Sequence, residues 1–275
     1  MSTLDSQLNL RLRHPDFQKY LDVNEKQSER VRQSFSCSLD QKYGMDLLQS
    51  MDVFPSPIPD SPIVIFIHGG YWRALDKASY SFVTEPFVQN NCTVCILNYR
   101  LMPRVKMQAI LNDVRDAVLW IMEESSRFHG DPHQIVLSGH SAGGHLALMC
   151  YLLNESIRNS IRAICSLSGI FELAPIKRSY LNDDLQLDDD EVEKFSFSSQ
   201  VEPELACPLY LGVGSAESDF FILQSRTLGQ QLSKSSRVQF EAYKGLNHYD
   251  VVHQLGSEAS DAVQFILKAI APSRP

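Results

Sequence analysis

A serine flanked by glycines is the strongest chemical signal in the sequence. Residues 139–143 read Gly-His-Ser-Ala-Gly, a G-x-S-x-G pattern centred on Ser141. A predicted strand precedes it and a predicted helix follows from Gly144, which is the strand–turn–helix setting of a nucleophile elbow. The flanking glycines fit this turn, because side chains there would collide across it. The pattern favours a hydroxyl nucleophile at a helix start, and the alternative is a plain glycine-rich turn.

A second glycine-rich segment follows the third predicted strand. Residues 68–72 read His-Gly-Gly-Tyr-Trp. Acyl transfer creates an oxyanion that fixed backbone N–H groups stabilise, and glycines let the main chain come close to it. By position we expect the N–H groups of Gly70, Tyr71 and Ala142 to form an oxyanion hole. His68 follows the wrong strand for a general base, and we expect it to organise the loop.

The general base of such a site comes last in the chain, after the final strand. His248 fits this position, whereas His253 lies farther along and is predicted to be structural. The acid belongs between Ser141 and His248, where Glu217 and Asp219 are both candidates. Asp219 directly precedes an apolar helical start, so its predicted role is that of a helix N-cap. This reasoning favours Glu217 as the acid without excluding Asp219.

The other histidines and the cysteines are not assigned to chemistry. His140 and His145 flank the nucleophile but are expected to point elsewhere, and three histidines fall outside the expected catalytic edge of the sheet: His14, His129 and His133. Cys92 and Cys95 form a C-x-x-C pair, yet Cys95 opens an apolar run and no second pair stands at metal spacing. No metal and no cofactor are therefore expected, and the compartment is predicted to be reducing.

Short apolar runs alternate with longer helical patterns along most of the chain. The predicted strands are Ser34–Ser38, Leu47–Phe54, Ile63–Ile67, Thr93–Asn98, Gln134–Ser138, Ile161–Ser166, Pro208–Val213 and Val238–Tyr243. The predicted helices are Ser79–Gln89, Met107–Glu124, Gly143–Leu153, Phe220–Ser233 and Ser257–Ala271. Continuous apolar strands are typical of a parallel sheet that is covered on both faces. The pattern predicts one α/β domain over residues 1–275, with a mostly parallel sheet of eight strands and helices on both faces.

Two segments depart from this alternation. Residues 1–33 are polar, with a weak helical pattern around Phe17, Tyr20, Leu21 and Val31. The long connection at about 170–206 is predicted to be a short cap, because loops of that length are usually functional or carry their own helices. Its acidic run at 188–191 is interpreted as a solvated helix start with Asp188 as N-cap.

Composition excludes several function classes. The 275 residues are 44% hydrophobic and 21% charged, which is ordinary for a globular chain and excludes disorder and coiled coil. The formal net charge of −8 disfavours nucleic acid and anionic membranes as partners. No apolar run has the length of a membrane span and no secretory signal is visible, so a cytoplasmic location is expected. A homodimer is left open.

The motifs together resemble the α/β-hydrolase family, and within it the hormone-sensitive-lipase-like esterases and the kynurenine formamidases. The residues that carry the resemblance are His68–Trp72, Asn98–Pro103, Gly139–His145, Ser168–Leu173, Ser179–Asn182, Glu217–Ser218 and Gly245–Tyr249. The resemblance covers about 40–270 and implies an α/β-hydrolase fold with Glu217 as the acid. Relatives often carry Asp at that position, so Glu217 is a departure from the family pattern.

The resemblance also implies a substrate. The expected reaction is serine-dependent hydrolysis of N-formyl-L-kynurenine to L-kynurenine and formate in tryptophan degradation, so the expected partner is a small acyl or N-formyl compound. Four aromatic residues are candidate contacts to its ring: Tyr71, Trp72, Phe171 and Tyr180. A broad carboxylesterase for short acyl esters is the alternative. A non-catalytic binder of small ligands fits less well, because Ser141 and His248 are both present.

Overall fold

The fold is built on a single sheet of eight strands, as predicted. The computed structural model describes residues 3–199 and 205–271. The strands are β1 (Ser38–Lys42), β2 (Ser50–Phe54), β3 (Ser61–Ile67), β4 (Thr93–Leu97), β5 (Gly130–His140), β6 (Ile161–Leu167), β7 (Leu209–Gly214) and β8 (Val238–Tyr243). Their order is β1-β2-β4-β3-β5-β6-β7-β8. Only the pairings of β2 with β1 and β4 are antiparallel, so the mostly parallel sheet of an α/β-hydrolase is confirmed.

Helices cover both faces of the sheet. They are α1 (Thr3–Leu8), α2 (Leu10–Arg13), α3 (Gln18–Ser34), α4 (Glu85–Gln89), α5 (Met107–Glu124), α6 (Ala142–Leu153), α7 (Glu155–Arg158), α8 (Ala174–Lys177), α9 (Asn182–Leu185), α10 (Asp189–Phe195), α11 (Asp219–Leu232) and α12 (Asp261–Ile270). Alternate residues of β3 enter opposite cores: Ile65 belongs to the core that includes residues of α5, α6 and α11, whereas Val64 and Phe66 belong to the core that includes residues of α4 and α12. No helix among residues 3–199 and 205–271 is long and apolar enough to cross a membrane.

The main boundary error concerns the first strand. The predicted strand Ser34–Ser38 is wrong, because α3 continues through Ser34 and β1 begins only at Ser38. All residues of β1 are exposed or half-buried and all but Leu39 are polar, as expected of an edge strand, so the strand lacks an apolar pattern. The predicted helix Ser79–Gln89 is instead a 3₁₀ helix over Lys77–Thr84 that continues into α4.

The segment predicted as a cap carries three short helices, α8, α9 and α10. The predicted N-cap is confirmed, since the Asp188 carboxylate accepts a hydrogen bond from the Glu191 N–H at 2.8 Å. Residues 200–204 of this segment lie outside the described residues. The extent of the cap and the single-domain assignment over residues 1–275 stay predictions.

Candidate active site

Ser141 lies at the sharp turn between β5 and α6. Its backbone has φ 56° and ψ −122°, and its N–H donates to the Leu167 carbonyl at 2.8 Å. A Cβ at Gly143 would lie 2.0 Å from the Ile67 carbonyl oxygen, and one at Gly139 would lie 2.3 Å from the Gly143 carbonyl oxygen. Both glycines are therefore required by direct backbone contact, which agrees with the steric reason for expecting them.

His248 and Glu217 form a buried pair at the carboxyl ends of β8 and β7. The His248 Nδ1 lies 2.6 Å from Glu217 Oε2. The other carboxylate oxygen, Oε1, accepts from the Gly214 N–H at 2.8 Å and from the Ser168 hydroxyl. Glu217 is 6% exposed and His248 is 3% exposed, so little water competes for these bonds.

Asp219, the second candidate for the acid, lies elsewhere. It is exposed and is the first residue of α11. Its predicted role as N-cap is wrong, because Ser218 occupies that position. Of the two carboxylates that the sequence left open, the structure brings only Glu217 to His248.

The predicted oxyanion loop runs alongside the nucleophile. A Cβ at Gly69 would lie 3.0 Å from the Ser141 Cβ. Gly70, Tyr71 and Trp72 have φ values of 101°, 50° and 56°, so three successive residues adopt left-handed backbone. Gly70 and Tyr71 line the same cavity as Ser141, and the role of their N–H groups stays a prediction.

The loop is held in place by His68. The buried imidazole contacts the Gly69 carbonyl through Nδ1 at 2.8 Å and stacks on the Tyr99 ring with centroids 4.5 Å apart. Burial lowers the pKa of His68 below its usual value, so the ring is neutral at pH 7. These contacts agree with the predicted role of His68 as a loop organiser.

A cavity of about 540 Å³ opens above Ser141 and His248. Two of the four predicted aromatic contacts, Tyr71 and Tyr180, line it. Trp72 and Phe171 do not, which corrects the prediction for them. Trp72 is fully buried with its ring roughly perpendicular to that of His145, at 5.2 Å between centroids, and Phe171 is 2% exposed in the core. Burying these large apolar rings in the core is favourable and leaves no surface for a ligand.

The N-terminal segment contributes a wall of the cavity that was not predicted from the sequence. Six of its residues line the cavity: Asn9, Leu10, Arg11, Phe17, Leu21 and Asn24. Hydrogen bonds tie this segment to the site: the Tyr71 hydroxyl donates to the Leu8 carbonyl at 2.9 Å, and Asn247 donates to the Tyr20 hydroxyl at 3.0 Å. The available signal was the weak apolar stripe around Phe17 and Leu21. Such a stripe shows that a helix packs against the protein, but it does not show which surface the helix covers.

Two further histidines lie at or beside the site, although His14 itself does not line the cavity. His14 packs edge-on against Tyr249, next to His248, with ring centroids 5.7 Å apart. His140 lines the cavity, and its Nε2–H donates to the His248 carbonyl at 3.0 Å. Burial, reinforced by His248, lowers the pKa of His140 well below its usual range, so it supports the His248 backbone as a neutral donor.

The remaining histidines do not line the cavity. His145 points into the core, as expected, where Nε2 bonds the Phe195 carbonyl at 2.8 Å. Burial lowers its pKa to about 4. His253 stacks on Phe82 with centroids 4.7 Å apart. His129 and His133 are four residues apart in the sequence, a spacing at which two histidines can bind one metal ion. Nδ1 of His129 lies instead 2.7 Å from the Ser56 carbonyl oxygen.

Metal-ligating side chains do not cluster in the described part of the chain. Within residues 3–199 and 205–271, no group of three or more His, Cys, Asp or Glu side chains could hold a metal ion. All six cysteines are free, and the Cys92 and Cys95 thiols are buried. Burial raises the pKa of each of these two thiols to about 12, which keeps them protonated and unreactive.

The family assignment follows from a match over more than half of the chain. The BD-FAE family matches residues 51–226, from the second strand into α11. This match includes Ser141 and Glu217 and ends before His248. The chain belongs to the BD-FAE family of α/β-hydrolases.

Individual relatives are hydrolases. The chain is 30% identical to the kynurenine formamidase of Danio rerio over 256 residues, which cover 90% of this chain and 86% of that protein. It is 26% identical over 220 residues to an isoprenylcysteine alpha-carbonyl methylesterase of Arabidopsis thaliana, covering 70% and 51% of the two chains. A proposed thioesterase from Silicibacter sp. tm1040 superimposes with a TM-score of 0.84 at 26% identity, over 97% of this chain and 99% of that one. The chain is accordingly an enzyme of the hydrolase class.

Proposed function

We propose that this hydrolase uses Ser141 as its nucleophile, His248 as general base and Glu217 as the acid that orients the imidazole. The observation that carries the proposal is the 2.6 Å contact between His248 Nδ1 and Glu217 Oε2, in the cavity that Ser141 lines. Because Glu217 accepts at Nδ1, the proton of neutral His248 resides there and Nε2 is free to accept the proton of Ser141. The N–H groups of Gly70, Tyr71 and Ala142 are proposed to stabilise the oxyanion.

The proposed reaction is hydrolysis of N-formyl-L-kynurenine. Ser141 Oγ attacks the formyl carbon, and His248 takes the hydroxyl proton and delivers it to the departing aryl nitrogen as the C–N bond breaks. Water then hydrolyses the formyl ester, which releases formate and regenerates Ser141. The similarity to a kynurenine formamidase over 90% of the chain supports this substrate. The cavity supports it as well, since Phe17, Tyr71, Tyr180 and Tyr249 offer aromatic surface to an aryl leaving group.

A carboxylesterase for short acyl esters is the second candidate function. The similarity to the methylesterase supports it, and the same nucleophile, base and oxyanion donors would serve an ester. The two functions differ in the leaving group, because an arylamine must be protonated as it departs and an activated phenol need not be. Substrate comparison therefore separates them.

The proposed setting is a reducing, cytoplasmic one with a small-molecule partner. The six free cysteines support a reducing compartment. The net charge of −8 supports a function without nucleic acid. A homodimer remains an open alternative that light scattering would decide.

The decisive experiment compares kcat/KM for N-formyl-L-kynurenine and p-nitrophenyl acetate with the same purified protein. A formamidase gives a kcat/KM for N-formyl-L-kynurenine that exceeds the value for the ester. Turnover of the ester alone supports the carboxylesterase. Tight binding of N-formyl-L-kynurenine without turnover of either compound would overturn the catalytic proposal in favour of a binder.

A further inference from the structure

The N-terminal wall of the cavity carries an unsatisfied polar group. Asn24 lies on α3, is 4% exposed and lines the cavity. Its Oδ1 has no hydrogen-bond partner among the described residues. Buried amide oxygens are nearly always paired, and an unpaired one is unfavourable. Because Oδ1 itself has almost no accessible surface, a ligand with an N–H group would supply the missing donor once the Asn24 amide turns towards the cavity.

The same wall carries a cation at the rim of the cavity. The Arg11 guanidinium lies over the Phe17 ring, 4.9 Å from its centroid, and Arg11 lines the cavity. Phe17, Leu21 and Asn24 are spaced i, i+4 and i+7, so they share one face at the start of α3. This face bears the cation near one end and the unpaired amide oxygen near the other.

Within the described residues, Arg11 is the positively charged side chain of the cavity lining that has no ion-pair partner. Arg73 also lines the cavity, but it forms an ion pair with Asp184 of the same lining. No carboxylate of the described residues forms an ion pair with Arg11. Asp5, the other nearby acid, lies outside the lining and accepts the Tyr180 N–H at 3.0 Å. The open end of the site is therefore suited to an anion.

We propose that Arg11 and Asn24 are specificity-determining residues that select substrates bearing a carboxylate and an N–H donor, as an N-acylated aryl amino acid does. Arg11 binds the carboxylate by a charge-assisted hydrogen bond, and Asn24 Oδ1 accepts from a nitrogen of the same molecule. The aromatic rings between them hold the aryl group. This inference rests on the proposed function and assigns the binding end of that site to the N-terminal segment.

The test is a substrate-dependent split in kinetic constants. Arg11→Gln is expected to raise KM for N-formyl-L-kynurenine about 2- to 5-fold with kcat nearly unchanged, because the loss of a binding contact to an exposed cation weakens the ground state and the transition state alike. KM for phenyl acetate, which has no charge, is expected to stay unchanged. Asn24→Leu is expected to raise KM for N-formyl-L-kynurenine several-fold, again without effect on phenyl acetate.

Matched controls separate specificity from structure. Arg13→Gln removes the same charge from an exposed site of α2 that does not line the cavity, and Ser28→Ala perturbs the buried face of α3. Neither control is expected to alter the ratio of kcat/KM between the two substrates. The inhibition constant of L-kynurenine, measured against phenyl acetate, should rise in Arg11→Gln as KM does.

The outcomes distinguish this inference from the function on which it rests. Wild-type protein that hydrolyses phenyl acetate but not N-formyl-L-kynurenine would overturn the proposed substrate. In that case 4-acetoxybenzoate, whose leaving group bears a carboxylate, still tests Arg11 against phenyl acetate. If Arg11→Gln or Asn24→Leu changes kcat/KM equally for charged and neutral substrates, or for neither, the inference for that residue is wrong.

Discussion

The substitution Glu217→Gln tests the proposed acid through a change of histidine tautomer. Oε1 of Glu217 faces two donors, the Gly214 N–H and the Ser168 hydroxyl. The carbonyl oxygen of a glutamine must remain there, because the backbone N–H of Gly214 cannot act as an acceptor. The glutamine NH₂ group then faces His248 Nδ1 in place of Oε2. His248 must accept at Nδ1 and carry its proton on Nε2, where it cannot accept the Ser141 proton.

The expected loss is large and confined to catalysis. Imposing the wrong tautomer on a serine–histidine pair lowers kcat about 10⁴-fold, which corresponds to roughly 5 kcal/mol of transition-state stabilisation. The thermal unfolding midpoint is expected to change little, since glutamine has the shape of glutamate and keeps the bonds to Gly214 and Ser168. The assay is kcat for N-formyl-L-kynurenine and p-nitrophenyl acetate, with the melting temperature measured on the same samples.

The matched control is Asp219→Asn, which makes the same type of change two residues away at an exposed position. Its kcat is expected to equal that of the wild type. A Glu217→Gln enzyme within tenfold of wild-type kcat would refute the reasoning, and so would an Asp219→Asn enzyme that loses activity.

Three further predictions concern stability and cofactor independence. His145 has a folded-state pKa of about 4 against 6.5 when unfolded, so its stabilising contribution is complete above pH 6.5 and falls as pH decreases; about 2 kcal/mol is lost at pH 5. Urea unfolding measures the free energy of unfolding of the wild type and of His145→Gln at pH 7.5 and at pH 5. The decrease between the two pH values should be smaller in His145→Gln by that amount, and an equal decrease in both proteins would contradict the prediction. Activity should survive dialysis against EDTA, whereas loss that zinc restores would reveal a metal site. Tyr71→Phe leaves the buried Leu8 carbonyl without its donor and should lower the unfolding free energy by about 1–3 kcal/mol; an unchanged value would mean that the N-terminal wall is not held by this bond.

The arrangement of Ser141, Glu217 and His248 could be predicted because it depends on local turns and chain order. Parallel strands place their carboxyl ends at one edge, so residues that follow β5, β7 and β8 meet there whatever the loops do. The choice of Glu217 over Asp219 as the proposed acid rested on a partly wrong reason. Asp219 is excluded by its outward position at the first turn of α11, and the N-cap is Ser218.

The substrate-binding wall could not be predicted because it depends on tertiary placement. An amphipathic stripe shows that one face of α3 packs against the protein, but it does not show which surface the helix covers. The orientation of the Trp72 side chain depends on three successive residues with positive φ. This backbone conformation is rare for residues other than glycine. The edge strand β1 was missed for a related reason, since its exposed polar residues lack the apolar pattern of the buried strands.

Covalent labelling of the wild-type protein and Ser141→Ala with a fluorophosphonate, followed by peptide mapping, tests the assignment of the nucleophile most directly. The structure predicts one adduct, on Ser141, whose formation is slowed by N-formyl-L-kynurenine and abolished in Ser141→Ala. The same variant should lose several orders of magnitude in kcat for N-formyl-L-kynurenine. An adduct on a different serine, or undiminished labelling of Ser141→Ala, would contradict the account.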